Sequence, residues 1–493
     1  MLERKNNLLK KFTLFFLFCM PIFDTIWFYS KWTTAVRVGI IFLIFIFTLI
    51  FYKQSRKKSL FLWSWYLLCG IYFIINYYHS FDFFALQPNF SNYSGYQELL
   101  TILKLMCLPT LLFSLYYQKF NKKEYLFIIK SWIIIIAGSI ILTNLFKISL
   151  SSYGTNVISY NIFEWNKGLY YIKTASRGFF IYANQVALIM VMLLVIAFYM
   201  TAFVNLKNII YLILLSLAML MLGTRVSSLG GLLILLLLFL SYFVYQIYKK
   251  EKINWQMLFV LIPILVWGLL LFTVSPYQNR NVELDQVNEI DAHEDMINSS
   301  KLENALIKHD LEETKDKISY VDTYVDNNKL PKKFYQSYYS YVYDPDFWHD
   351  FVLNTPNEKI NYRYIETSII KRVVQIDDRT SDIWFGISNT RIQNIVNIER
   401  DFLLHYYAFG IVGCIILLCI YPILLVSNFI TLIKEKDYLS FICLINIVLF
   451  TSIAYLTGNI LNSINMLIYF AFIMAIKFQK GSRFTCIKKL YLV

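Results

Sequence analysis

"MLGTRVSSLGG", residues 221–231, separates two apolar runs, "IIYLILLSLAML" (209–220) and "LLILLLLFLSYFV" (232–244). A bilayer span needs about 17–25 apolar residues, and each run approaches that length once its edges are counted. The gap holds an arginine, Arg225. A charge at the bilayer centre costs about 2.5–3.5 kcal/mol or more unless it snorkels or is paired. Arg225 is therefore either an anchor at the headgroups or part of a site. The stretch reads as a turn between two membrane helices.

The whole chain supports that reading. It has 493 residues, 58% hydrophobic and 18% aromatic, with only 16% charged and a mean hydropathy of +0.52. Soluble domains are about 45–50% apolar with about 25% charged residues. The expected fold is an all-α polytopic membrane protein with about twelve transmembrane helices. They fall near 11–29, 35–52, 59–78, 99–117, 124–145, 180–200, 206–222, 229–247, 255–274, 402–425, 438–456 and 458–477. The opening "MLERKNNLLKK" leads into an apolar run reaching about Tyr29, with no small-residue cleavage site. It reads as a retained first helix rather than a signal peptide. The seven cysteines form no CxxC pair, so neither a disulfide framework nor a zinc site is expected.

Lysine and arginine in short loops set orientation. With the N-terminus inside, inner segments and span edges carry 22 of them and the short outer loops six. Both termini are then cytoplasmic in a multi-pass cell-membrane protein. Residues 275–401 hold 23 acidic and 15 basic residues, and the remainder of the chain is net +22. That positive charge is a topology signal, and it argues against nucleic acid as a partner. Three regions follow. Residues 1–274 hold helices one to nine with an external loop at 146–179. Residues 275–401 form one large, mainly helical extracellular loop. Residues 402–493 hold the last three helices and a basic cytoplasmic tail.

Within the large loop, Ile297, Leu302, Leu306 and Leu311 recur as on a helix. "KFYQSYYSYVYDPDFWHDF" (333–351) reads as a small aromatic core, with stacking on sugar rings as its other use. "IETSIIKRVVQIDDRTSDIWFGISNTR" (365–391) reads as an amphipathic helix, a polar turn and a short buried segment.

Four groups of residues can carry chemistry. Arg177 lies seven residues before Asn184, which is two turns if one helix holds both. Arg225 sits among Gly223, Gly230 and Gly231, which permit tight turning and close helix approach. Together the two external arginines suit a diphosphate, because the guanidinium fork matches phosphate oxygens. Glu399, Arg400 and Asp401 open the tenth span, with His405 one helical turn after Asp401. A carboxylate there can act as a base, or it can simply mark a charged helix start. Asp24, Arg37 and Lys104 lie inside spans and read as ion-paired rather than catalytic.

The order of three motifs resembles the bacterial O-antigen polymerase and ligase superfamily, which includes capsule and exopolysaccharide polymerases of Gram-positive bacteria. The motifs are "SRGFFIYANQVALIM" (176–190), "GTRVSSLGGLLILLLL" (223–238) and "WFGISN" (384–389) followed by "IERDFLLHYYAFGIVG" (398–413). Ser388 replaces the second glycine usual in the third. Ligase-type members carry His-Asn where this chain has Glu399-Arg400. Glu399-Arg400-Asp401 is closer to the Glu-x-Asp of polymerase-like members.

The resemblance implies a polysaccharide polymerase. It would join undecaprenyl-diphosphate-linked oligosaccharide repeat units at the outer leaflet by inverting glycosyl transfer, with no cofactor and no metal. Arg177 and Arg225 would hold the diphosphate, and Glu399 or Asp401 would accept the acceptor hydroxyl's proton. Asn184, Arg391, Arg400 and His405 would contact substrate. Membrane lipid surrounds such a protein, and a flippase and a chain-length regulator are its implied partners. A ligase with another acceptor, a flippase or transporter of the same lipid, and a sensor protein are the rival readings.

Overall fold

The computed structural model describes residues 2–164, 173–250, 255–273, 275–278, 333–355 and 361–478. Backbone polar groups inside a bilayer must be satisfied within their own segment, which leaves helices as the solution for a chain of this pattern. Among the described residues strand pairing is limited to three isolated bridges, Thr25–Phe180, Leu150–Val157 and Ser151–Ser176. The chain is an all-α polytopic membrane protein.

The first helices are α1 (Leu2–Phe23), α2 (Lys31–Phe51), α3 (Lys53–Lys58), α4 (Leu60–His79), α5 (Gly95–Gln118) and α6 (Lys122–Leu145). Then come α7 (Ala183–Phe203), α8 (Ile209–Leu222), α9 (Gly231–Lys249) and α10 (Leu261–Thr273). Beyond residue 333 lie α11 (Pro345–Asn354), α12 (Tyr362–Asp377), α13 (Ser381–Phe385) and α14 (Asn389–Ile395). The last are α15 (Asp401–Leu418), α16 (Ile420–Glu435), α17 (Tyr438–Thr457) and α18 (Ile464–Met474).

Each of the twelve apolar stretches falls on a helix. Among the described residues eight helices are long and apolar enough to cross a membrane, and 206–222, 257–269 and 464–477 are shorter apolar helices. The boundaries differ from expectation where side chains intervene. The polar start of α1 joins the helix, and Lys10 there pairs with Glu124 at 2.5 Å. The expected span 402–425 is longer, 401–435, and breaks at Gly410 (φ 61, ψ −172). α18 begins at Ile464 rather than 458, because Gly458 and Asn459 take left-handed φ values of 67 and 58. None of the six described cysteines forms a disulfide among the described residues. The expected helix at Ile297–Leu311 lies outside the described residues.

The chain divides into two compact units. The first holds residues 1–66, 103–283 and 419–493. Its central helix is α7, buried on nearly every side, as a helix apolar all round must be. Trp132 donates to the Leu17 carbonyl (2.7 Å) and packs edge-on to Tyr469. The expected intramembrane ion pair is present: Arg37 Nη1 lies 3.0 Å from Asp24 Oδ1, with Asn465 on the same guanidinium. Lys104 is not part of it.

This unit has two distinct ends. At one, the α1–α2 turn pairs with the loop after α6, through Ile26 N and the Phe179 carbonyl at 3.0 Å. The other gathers the starts of α1 and α6 and the ends of α2 and α5, all flanked by lysines.

The second unit holds residues 67–102 and 284–418. The aromatic stretch is a core, as expected. Tyr335, Tyr339 and Trp348 are buried. Trp348 Nε1 donates to the Tyr339 carbonyl (2.8 Å), and Arg372 grips Asp344 through Nε (2.7 Å) and Nη2 (3.1 Å). α12 turns Ile365, Ile369, Ile370 and Val373 inward, at helical spacing.

Candidate functional site

In the first unit, α8 stops at Gly223, whose left-handed backbone (φ 66, ψ 16) ends the helix. A Cβ there would meet Pro276 at 2.8 Å and Ala175 at 3.3 Å, so glycine is required twice over. Thr224 and Ser227 then cap each other, side chain to backbone N–H, both at 3.1 Å. The π-turn Val226–Gly230 leads into α9, and Gly231 sits where a Cβ would strike Trp267. Arg225 is held in this turn with its side chain exposed and makes no ion pair among the described residues.

The carbonyls freed at the end of α8 are taken by the loop after α6. Ser176 N donates to Met221 O (2.8 Å), Ser152 Oγ to Leu222 O (2.7 Å), and Tyr153 Oη to Gly223 O (2.8 Å). Arg177 belongs to the same loop: its Nη2 donates to Gly154 O at 3.0 Å. Tyr153 thus holds the Arg225 turn, and the next residue holds Arg177. The fold ties both arginines to one turn of one loop. Arg177 is half-buried, its Nε has no acceptor among the described residues, and burial pulls its pKa below the ordinary value. Arginine stays charged under such a shift.

Asn184 does not share a helical face with Arg177. α7 begins only at Ala183, and Gly178 with φ 66 turns the chain between them. Asn184 is exposed on the first turn, whereas Gln185 is buried and donates to Asn459 O at 3.0 Å.

In the second unit, "WFGISN" and "AFG" cross backbone to backbone. A Cβ on Gly386 would lie 2.4 Å from the Ala408 carbonyl carbon, and one on Gly410 2.4 Å from that of Trp384. Ile387 N and Ser388 N donate to Tyr407 O (2.8 Å) and Ala408 O (3.1 Å). Tyr72 Oη donates to Phe409 O at 2.7 Å, and Asn76 Nδ2 to Phe385 O at 2.8 Å. Ser388, in place of a glycine, still takes φ 83 and caps α14 by accepting from Arg391 N. The close approach therefore needs only Gly386 and Gly410.

The candidate residues around this crossing have different environments. Arg391 is 4% exposed, with its guanidinium carbon 4.7 Å from the Phe83 ring centre and 5.3 Å from that of Tyr93. Its Nη2 donates to Ser80 O, while Nε and Nη1 have no acceptor among the described residues. Beside it, buried Glu98 accepts from Thr390 N and Oγ1. Glu399 is half-exposed and pairs with Arg363 at 3.3 Å. Arg400 Nη2 donates to Thr367 Oγ1. Asp401 is fully buried at the first turn of α15, and His405, also buried, sets Nδ1 2.5 Å from the Asp401 carbonyl, one turn apart as expected.

One polar cluster escaped the sequence reading. Arg379 binds Asp377 (2.7 Å) and Asp382 (3.1 Å), and Asp382 also holds His79 Nε2 at 2.7 Å. Burial, and then the adjacent Asp382 carboxyl, push the Asp377 pKa up to about 6. The "DDRTSD" pattern (377–382) was visible as a polar turn, but His79 comes from far away in sequence. Glu98 was also missed. Its signal was a lone acid near the start of an apolar span, the pattern that marks a partnered charge.

The fold is that of a helical membrane protein with several apolar helices and charged side chains at their ends. Residues 6–479 match the family model described as "O-antigen ligase like membrane protein", and the chain belongs to that family. Membership implies a membrane glycan-processing enzyme with glycosyltransferase-type activity in the broad sense. No curated protein and no solved structure matches the chain.

Proposed function

We propose that this protein is a polysaccharide polymerase that joins undecaprenyl-diphosphate-linked oligosaccharide repeat units at the outer leaflet of the cell membrane. The observation that carries the proposal is the common support of Arg177 and Arg225 on residues 153 and 154. Two guanidinium groups, one on the loop after α6 and one in the turn that this loop holds, would suit the two phosphates of a polyprenyl diphosphate, each able to donate paired hydrogen bonds. Charge grows on the diphosphate as the glycan departs, and preorganised donors favour that state. The family match supports glycan chemistry of this kind.

Asp401 is the preferred base. Its carboxylate is buried at a helix N-terminus, whereas Glu399 is half-exposed and already committed to Arg363. It would take the proton from the acceptor hydroxyl as that oxygen attacks the anomeric carbon, which inverts. Glu399 and Arg400 then position the start of α15, and His405 braces Asp401 through its main chain. Glu399-Arg400-Asp401 in place of His-Asn favours polymerase over ligase. Both termini are cytoplasmic in this reading, from the lysine distribution.

The test is the purified protein mixed with lipid-linked repeat units. A ladder of products on a gel is expected. A single transfer to a different acceptor means ligase, and counterflow without lengthening means transporter. Arg225→Ala should lose the ladder at normal expression. A normal ladder from that variant removes Arg225 from the site.

A further inference from the structure

The lysine-flanked end of the first unit contains a cavity of about 630 Å³. It is lined by Lys53, Lys58 and Lys119, together with Tyr52, Tyr117 and Asn6. No carboxylate lines it, and none of the three lysines makes an ion pair among the described residues. Arg56, next to Lys53 in the same short helix, is used differently. It caps α2 through Leu49 O (3.0 Å) and Ile50 O (3.1 Å). The Tyr117 hydroxyl is buried with no hydrogen-bond partner among the described residues, and so is the Asn6 side-chain oxygen.

Three ammonium groups around one hollow, with no counter-charge among the described residues, attract an anion, since like charges gathered together repel one another. The cavity lies where α2 and α5 end, at the depth where headgroups lie for helices of this length. The outer face of α2 leading to it is apolar and exposed, through Leu43, Ile46, Phe47 and Ile50. These positions recur every three or four residues and form one continuous stripe.

We propose that this cavity is a binding site for the headgroup of an anionic phospholipid, with an acyl chain along the exposed stripe of α2. Lys53, Lys58 and Lys119 hold the phosphate, and Tyr117 donates its hydroxyl hydrogen to it. Basic pockets between helices at the membrane surface bind acidic headgroups in this way. The site lies at the opposite end of the first unit from Arg177 and Arg225, so it does not depend on the catalytic reading.

The test is native mass spectrometry of the full-length protein from mixed micelles of phosphatidylglycerol and phosphatidylcholine. Wild type should retain phosphatidylglycerol preferentially, and K53Q/K58Q/K119Q should lower that preference about tenfold or more. Tyr117→Phe, which removes a single hydroxyl, should lower it less. K249Q/K250Q removes charge elsewhere in the unit and should keep the preference. Equal loss in this control, or no loss in the triple variant, overturns the proposal. Inorganic phosphate at millimolar concentration should not displace the lipid. Displacement would assign the pocket to a free phosphate anion and overturn the lipid.

Discussion

Arg225 and Arg391 each follow a threonine, and each lies a few residues beyond a glycine of positive φ, Gly223 and Gly386. Their fates are opposite. In the first unit the threonine caps Ser227 locally, and Arg225 is left exposed without an ion pair among the described residues. In the second unit Glu98 accepts both hydrogen bonds from Thr390, and Arg391 is drawn between Phe83 and Tyr93. The same local chemistry yields an exposed arginine in one place and a buried arginine packed between rings in the other. Long-range neighbours make that choice: Glu98 and Phe83 are about three hundred residues from Arg391 in sequence.

The comparison can be broken first at its glycines. Gly386→Ala forces a Cβ within 2.4 Å of the Ala408 backbone at φ 75. The expected cost is about 3–6 kcal/mol, from strain and overpacking together, and thermal unfolding of the purified protein should show it. Gly230→Ala meets nothing closer than 3.9 Å and should be neutral or slightly stabilising. Equal melting temperatures for the two variants would contradict the backbone crossing.

The arginines sharpen it next. Arg391→Ala removes two desolvated ring contacts and a hydrogen bond, an expected loss of about 2–4 kcal/mol. Arg225→Ala should change stability by less than about 0.5 kcal/mol. Its loss should appear in product formation instead. A strongly destabilised Arg225→Ala protein would mean that the turn, rather than a ligand, needs the charge.

A smaller effect separates the units by pH. The folded pKa of Asp377, about 6, lies above its unfolded value of about 3.9. Its contribution favouring the fold is therefore fully present below about pH 4 and is lost as pH rises through about 6. The melting temperature should climb as pH falls from 7 to 5, and Asp377→Asn should flatten that climb. An unchanged slope in the variant would assign the effect to another group. The smallest change is expected from Arg363→Ala. It opens an exposed pair with Glu399 and should cost no more than about 1 kcal/mol, less in high salt.

Much of the fold was legible in sequence. Hydrophobic runs of span length need no tertiary information, and each of the twelve falls on a helix. The aromatic stretch 333–351 announced its own core because its partners, Tyr339 with Asp344 and Trp348, lie within ten residues. The expected pairing of Arg177 with Asn184 failed for a local reason. A helix was taken to start at the arginine, and Gly178 sets it six residues later. The His79–Asp382–Arg379 cluster was not legible, because its histidine and carboxylates are joined across about three hundred residues.

The sequence by itself determined that this chain is a helical membrane protein, which stretches form its helices, and which charged residues stand beside them. Those are consequences of transfer free energy and helical periodicity, which depend on neighbours along the chain. Only the tertiary structure decided which arginine is buried and which is exposed. It tied Arg177 and the Arg225 turn to one loop, buried Asp401 while leaving Glu399 half-exposed and paired with Arg363, and drew Arg391 between two rings. Burial and hydrogen bonding depend on groups that meet only when the chain has folded, and for a charge they separate an anchor from a site.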